Sequence, residues 1–502
     1  MLTRSQVKSF ISRYPDFRDE VLSIHYAPRM PKAMVKETQK IVALARKFND
    51  EIARPLFLEL DRKTHENPEF LPWDLVKKAN EWGFYTMWMP KVFGGKGYNM
   101  PSIAYFSEEI GSVCLGIANV IGVHYLGVAG LMMAGNTRVI KKVMNDVVQG
   151  EKTGDPCLIA LAITEPMAGT DVEEIELEDR GKITCHVRKV KGGYIVNGTK
   201  IFISMGRLSK WTVLYGYTNL KKSSENTVVM MVKQGMKGFT YGTHENKMGQ
   251  RICTADVLNF EDCFVPDELV ILDPERAKGF TKQKSRDVKM RHLDYVLSLS
   301  RPVVGSFGTS AARGAFEAAL RFANEAEIDG KPMISYEWVQ CRLAEMYSNV
   351  RLGRLAYAEA NLANQHRGVY NILQMKPIYY YLKYLPLAFF NNVLSPLLTN
   401  RSIGTWLMSK WYLDGQKPED QHLCTGLGSL AKFNGTDIGV KNCQIALELM
   451  GQTGMRHENG MEKILRDAKL LQIYEGTNQL NRINVFKSLI APACPKAKIF
   501  EE

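Results

Sequence analysis

The sequence predicts an α+β protein in which two helical regions flank a β region. Three observations carry that expectation. Apolar residues recur at three- and four-residue spacing up to about residue 150. β-Branched and aromatic residues crowd the stretch after Pro156, and helical spacing returns after about Lys289. The 502 residues suffice for roughly three domains. The reading divides them into an N-terminal extension (1–34), an N-terminal helical domain (35–155), a middle β domain (156–285) and a C-terminal helical domain (286–502).

In the first helical region, "ETQKIVALARKFNDEIARPLFLEL" (37–60) has amphipathic spacing, and "PKVFGGKGYNMP" (90–101) punctuates it with a glycine-rich loop. The almost wholly apolar segments of 105–136 suit buried helices of a bundle. The β region opens with "KITCHVRKVKGGYIVNGTKIFIS" (182–204), in which Gly192-Gly193 and Asn197-Gly198 read as hairpin turns of an antiparallel sheet. The last helical region is interrupted by an apolar insertion at about 368–422. Its centre, Met375 to Asp414, is dense in Tyr, Phe, Leu and Trp. Pro377, Pro386 and Pro396 argue against a straight membrane-spanning helix there. Two placements fit the composition of this block. One is an extra helical layer or subunit interface. The other is a peripheral membrane contact with Tyr379, Tyr380, Trp406 and Trp411 at headgroup level and Lys376, Lys383, Arg401 and Lys410 toward anionic lipid.

Composition excludes some chemistry. Nine cysteines without a CxxC pair argue for reduced thiols and against a disulfide frame or structural zinc. The nine histidines have no HExxH spacing, so no metal is expected. A net charge of +12 suits nucleic acid, anionic lipid or a polyanionic small molecule, and being dispersed it does not choose among them. "MLTRSQVKSFISRYPDFRDE" lacks the apolar core of a secretory signal and reads as an exposed helix of a cytoplasmic protein.

The stretch "LLQIYEGTNQLNR" (470–482) sets one carboxylate, Glu475, directly before Gly476 and Thr477. Glycine there permits a sharp turn or the close approach of a ligand. A carboxylate beside such a turn suits a general base, and a helix C-terminal glycine with a solvated Glu explains the same residues.

Five motifs, in order, resemble the flavin-dependent acyl-CoA dehydrogenase family: "LAITEPMAGTDVE" (161–173), "YIVNGTKIFISMG" (194–206), "NKMGQRICTADVLNFEDCFVP" (246–266), "RPVVGSFGTSAARGAFEAAL" (301–320) and "EKILRDAKLLQIYEGTNQL" (462–480). The likeness covers about residues 35–490 apart from the apolar block. It implies a middle antiparallel β-barrel-like domain and a C-terminal four-helix bundle. It also implies one non-covalent FAD, an acyl-CoA substrate, an electron-transfer flavoprotein as partner, and a homo-oligomer (dimer or tetramer).

By the same resemblance Glu475 is the catalytic base, and its N–H polarises the thioester carbonyl. Thr170, Arg301 and Gly476 meet substrate. Leu161, Ile163, Thr164, Gly169, Thr170, Phe202, Ile203, Ser204, Gln340, Thr477 and Gln479 hold the cofactor. Some relatives carry the base just before the arginine, where this chain has Ser300, which cannot serve. The chain departs from the family pattern at "AEIDG" (326–330) and "ELMGQTG" (448–454), where contacts to a neighbouring subunit's flavin are expected. The implied activity is oxidation of an acyl-CoA to its trans-2-enoyl product. Its rivals are an oxidase that uses oxygen and a nucleic-acid-binding flavoprotein of the same fold. The dispersed basic residues argue against nucleic acid.

Overall fold

The computed structural model describes residues 21–132, 136–273, 281, 283–494 and 496–501. The helix expected over residues 1–20 lies outside them. In the N-terminal region, α1 (Lys32–Phe48), α2 (Arg54–Glu66), α3 (Trp73–Glu81), α4 (Ser102–Gly111), α5 (Leu115–Met132) and α6 (Thr137–Thr153) pack around one another. Helix α5 is apolar enough to cross a membrane by length and composition, yet most of it is buried inside the protein. It has little amphipathic character because neighbours surround it on nearly every side.

The middle region holds β1 (Leu158–Ala162), β2 (His186–Val190), β3 (Gly193–Ser204), β4 (Ser209–Tyr217), β5 (Thr227–Lys233), β6 (Phe239–His244), β7 (Ala255–Pro266) and β8 (Val270–Leu272). Their order is β6-β7-β3-β2-β4-β5-β8, with β1 lying beside β4. Most pairs are antiparallel, as expected, but β1 runs parallel to β4, and a single parallel bridge joins β2 to β4. A parallel partner needs a long crossover, and residues 163–208 supply it. Gly192 forms the β2–β3 turn. Asn197-Gly198, expected as a second turn, instead lies within β3 as a bulge. A side chain on Gly198 would meet the Cys185 backbone at 2.6 Å, so this glycine serves close packing, not chain reversal.

The C-terminal region is built from α7 (Ser285–Glu325), α8 (Glu337–Arg367) and α9 (Pro418–Met455), three long helices. The fourth position is divided into α10 (Met461–Leu471) and α11 (Asn478–Val485) by the loop that carries Glu475. Pro302 sits inside α7, not at its start, because the helix begins more than four turns earlier. "AEIDG" forms a tight hairpin between Glu327–Ile328 and Lys331–Pro332. The nine cysteines are free thiols, all buried except exposed Cys341 and half-buried Cys494.

The apolar insertion folds back on the N-terminal region as short helical pieces, including Lys376–Tyr384 and Arg401–Met408. Lys383 pairs with Glu37 of α1 (2.7 Å), Lys91 donates to the Lys383 carbonyl (2.7 Å), and Thr137 of α6 bonds the Leu398 carbonyl. Phe390, Tyr412 and Leu413 are buried. Of the residues expected to face lipid, Tyr379, Tyr380 and Trp411 are half-buried and Lys383 turns inward. The Arg401 side chain lies outside the described residues. The outward aromatic residues are Tyr381, Tyr384 and Trp406.

Helices α7 and α9 meet along a seam of small residues. A Cβ on Gly308 would lie 2.3 Å from the Gly435 carbonyl, one on Gly435 would lie 2.4 Å from the Gly305 carbonyl, and one on Gly305 would lie 2.6 Å from the Ala431 carbonyl. Backbone presses on backbone, so no side-chain rotation can relieve an added methyl. We expect Gly308→Ala to cost about 3 kcal/mol or more. The measurement is the urea midpoint, and an unchanged midpoint would show that the seam can open.

Candidate active site

The loop between α10 and α11 makes its turn at two consecutive left-handed residues, Glu475 (φ 57°) and Gly476 (φ 76°). Glycine adopts that conformation freely, whereas glutamate does so against its steric preference. The loop is held from both sides. Asn481 Nδ2 donates to the carbonyls of Gly476 (2.8 Å) and Thr477 (3.0 Å). Lys432 of α9 donates to the Gly476 carbonyl and to Asn478 Oδ1 (2.7 Å each). The Thr477 hydroxyl caps α11 by accepting from Leu480 N–H (3.2 Å).

The Glu475 carboxylate receives a hydrogen bond from Ser300 Oγ at its Oε2 (2.6 Å). Arg301, almost wholly buried in α7, donates from Nε to the Glu475 carbonyl (3.3 Å) and from Nη1 to Ser429 Oγ (3.0 Å). Among the described residues no hydrogen bond uses the Glu475 N–H or Oε1, which leaves a donor and an acceptor for a ligand. Burial pushes the Glu475 carboxyl above the usual carboxylate range, and the Ser300 hydrogen bond, Arg301 and Lys432 partly offset that rise.

The structure thus brings together Glu475, Gly476 and Arg301, with Thr477 one residue on. It also adds three groups. Ser300, dismissed as a base, is the hydroxyl that holds the Glu475 carboxylate. Lys432 supports the loop, and burial together with Arg301 lowers its ammonium to about 7. Glu173 is a second carboxyl: its Oε2 is buried without a hydrogen-bond partner, 3.0 Å from where a Gly476 Cβ would stand. The only sequence signal for it is the density of acids in "TDVEEIELED" (170–179). Elsewhere in that acidic run, Glu174 and Glu176 pair with Lys487 (2.8 and 2.6 Å) and Glu178 with Lys289.

Of the residues assigned to flavin, those of 161–170 and 202–204 lie along one strip. Leu161, at the end of β1, and Ile163, Thr164 and Thr170 are half-buried. Lys200 fixes the turn after β1 through the Ile163 carbonyl and Glu165 (2.8 Å each). Ile201 N–H donates to the Thr164 carbonyl (3.0 Å), which sets the segment Phe202–Ser204 beside that turn. Phe202 is left-handed (φ 56°) and 55% exposed, and Met167 is exposed too, while Ile203 is buried. A Cβ on Gly169 would meet nothing within 4 Å. Open space beside a backbone turn and an uncovered aromatic ring fit a large planar cofactor. Gln479 and Gln340 do not join this strip as partners: both are exposed, and Gln340 bonds back to the Ile334 carbonyl (3.0 Å). Asp61, His457 and Glu462 converge at metal-ligand spacing, but the Arg466 guanidinium already bridges Asp61 (2.8 Å) and Glu462 (3.0 Å).

Comparison with known proteins agrees with this architecture. Models of the acyl-CoA dehydrogenase N-terminal, middle and C-terminal domains match residues 35–151, 160–263, and 290–372 with 411–490. The C-terminal match skips the centre of the apolar insertion. The chain is 27% identical over 465 residues to cyclohex-1-ene-1-carbonyl-CoA dehydrogenase of Syntrophus aciditrophicus, covering 92% of this chain and 91% of that protein. It is 24% identical to the acryloyl-CoA reductase (NADH) of Anaerotignum propionicum, covering 92% and 96%. The fold superposes on butyryl-CoA dehydrogenase from Megasphaera elsdenii with a TM-score of 0.69 at 21% identity, covering 90% and 98%. With all three of its domains matched in order around the Glu475 loop, the chain belongs to the acyl-CoA dehydrogenase family.

Proposed function

We propose that the chain is an FAD-dependent dehydrogenase that converts an acyl-CoA thioester to its trans-2-enoyl product and passes electrons to an electron-transfer flavoprotein. The observation that carries the reading is the Glu475 loop: a carboxylate held at one oxygen by Ser300, with its other oxygen and its own N–H available together. FAD, seated against Leu161–Thr164, Gly169–Thr170 and Phe202–Ser204, would accept the β-hydride. The protein's own part is the proton. Glu475 Oε1 takes the α-proton, so that the C–H bond breaks as the O–H bond forms, and the Glu475 N–H stabilises charge developing on the thioester oxygen. Burial makes the carboxylate a stronger base than it is in water. The curated relatives that act on cyclic and short acyl-CoAs support this substrate class.

A homo-oligomer, dimer or tetramer, belongs to this reading. Trp338, Tyr347, Leu352 and Leu355 of α8 are apolar side chains left exposed on the C-terminal bundle. The protein is cytoplasmic in this reading, held peripherally at the inner face of a membrane through residues 375–414. Support comes from exposed Tyr381, Tyr384, Leu387, Leu397 and Trp406. Beside them is a shallow basic groove of about 550 Å³ lined by Arg138, Lys141, Lys142, Pro396 and Thr399. An apolar face flanked by cations matches an anionic lipid surface.

We expect Glu475→Gln to lower turnover by about a thousandfold while FAD and acyl-CoA still bind, because the amide keeps the shape but accepts no proton. An anaerobic dye-reduction assay with butyryl-CoA and cyclohex-1-ene-1-carbonyl-CoA measures this, and near-parental rates in the variant would move the base elsewhere. Activity should rise with pH as Glu475 ionises. Ser300→Ala removes a hydrogen bond that favours the charged form, so its acidic limb should shift to higher pH. An unshifted limb would mean that Ser300 does not touch the working base. For the membrane contact, vesicles containing anionic lipid should sediment the full chain, and Tyr384→Glu with Trp406→Glu should weaken that binding. Equal sedimentation would leave the insertion as packing alone.

A further inference from the structure

Gly476 has a charged group on each side of it. Glu475 precedes it, and Glu173 Oε2 and Arg301 Nη2 would lie 3.0 and 3.2 Å from its Cβ if it had one. Both of those atoms are buried and without a hydrogen-bond partner. The hydrogen bonds that the cations of the pocket make go elsewhere: Arg301 through Nε and Nη1 to the Glu475 carbonyl and Ser429, and Lys432 to the Gly476 carbonyl and Asn478. No ion pair reaches Glu173 among the described residues. Lys487 is held by Glu174 and Glu176. Two carboxylates in one pocket repel, and a carboxylate oxygen buried with no donor favours the protonated form.

We propose that Glu173 is a positioning residue of this active site, sharing the pocket's protons with Glu475 across Gly476, so that Glu173 stays protonated while Glu475 is ionised. The proposal rests on the reading of Glu475 as the base. The groups that face Glu173 are Glu475 from the loop, Arg301 from α7, and Lys432 from α9, with Asp171, Glu174 and Glu176 on its own segment. Burial first, and the Glu475 charge second, raise the Glu173 carboxyl to about 7. Below that pH Glu475 works beside a neutral neighbour. Above it a second negative charge enters the pocket and strengthens Glu475 as a base. The two titrations therefore belong to the pair and not to either residue alone.

The sign of the effect on stability follows from linkage. A carboxyl raised in the folded state binds its proton more tightly there than in the unfolded chain. Its contribution is fully present at pH below the ordinary value of 4.5 and is lost as pH rises through about 7. The test compares FAD-loaded parent and Glu173→Gln by thermal unfolding across that range. The parent's melting temperature, relative to the variant's, should fall as pH rises from 4.5 to about 7 and then level off. In the same proteins the pH profile of kcat/KM for butyryl-CoA should lose its inflection near neutrality in Glu173→Gln. A pH-independent difference in melting temperature together with superposable pH profiles overturns the proposal.

Infrared titration provides a check that needs no Glu173 variant. The parent should lose protonated-carboxyl C=O absorbance through neutral pH, to which Glu174, raised to about 8, also contributes, and the Glu173 component is the part that moves to lower pH in Glu475→Gln because the repelling charge is gone. No such movement in Glu475→Gln overturns the proposal equally. Failure of the underlying reading looks different: Glu475→Gln would then turn over substrate at the parental rate, whatever Glu173→Gln does.

Discussion

The glycine seam between α7 and α9 is the constraint on which the site depends. Gly305, Gly308 and Gly435 let the two helix backbones touch, which no larger residue would allow. One turn before Gly305 on α7 stand Ser300 and Arg301, and on α9 Ser429 and Lys432 lie close to Ala431 at the same level. Because the helices approach so closely there, the four side chains converge on one small volume. The Glu475 loop is fastened into that volume by Lys432, Asn481 and the Arg301 guanidinium. Helix contact therefore determines chemical geometry: a shift between α7 and α9 would move hydroxyl and guanidinium away from Glu475 together.

Electrostatics acts on the same volume. Arg301 and Lys432 face Glu475 and Glu173, two cations against two acids, in surroundings that disfavour any unmatched charge. Glu174, Glu176 and Glu178 of the acidic run 170–179 are matched by Lys487 and Lys289, which ties the crossover after β1 to the C-terminal bundle. That crossover also carries the turn at Gly169 and Thr170. The turn after β1 and the Glu475 loop are thereby joined through ion pairs between regions and not only through apolar packing.

Much of this was legible in the sequence, and the reasons are physical. Helix–sheet–helix order follows from periodicity, which burial imposes on long elements, and Gly476 announces a turn because glycine takes left-handed backbone at no steric cost. Asn197-Gly198 misled for the same reason, since a glycine required for close packing looks the same as one required for a hairpin. Ser300 and Glu173 were missed because their importance comes from contacts across more than a hundred residues of chain, which no local pattern reports. In the insertion, composition reports only that aromatic residues are dense, and which of them face outward is decided by partners such as Glu37 and Thr137 on distant helices.

Glu475 occupies a backbone conformation that favours glycine over it by roughly 1 kcal/mol or more. The most stable residue at that position is therefore not the one the proposed chemistry needs. Selection for folding alone would drift toward glycine or asparagine there, and on the reading of Glu475 as the base only selection on turnover would keep the acid. A copy of this gene released from that selection should lose Glu475 early and without harm to its fold, leaving a well-folded homologue without the proposed activity.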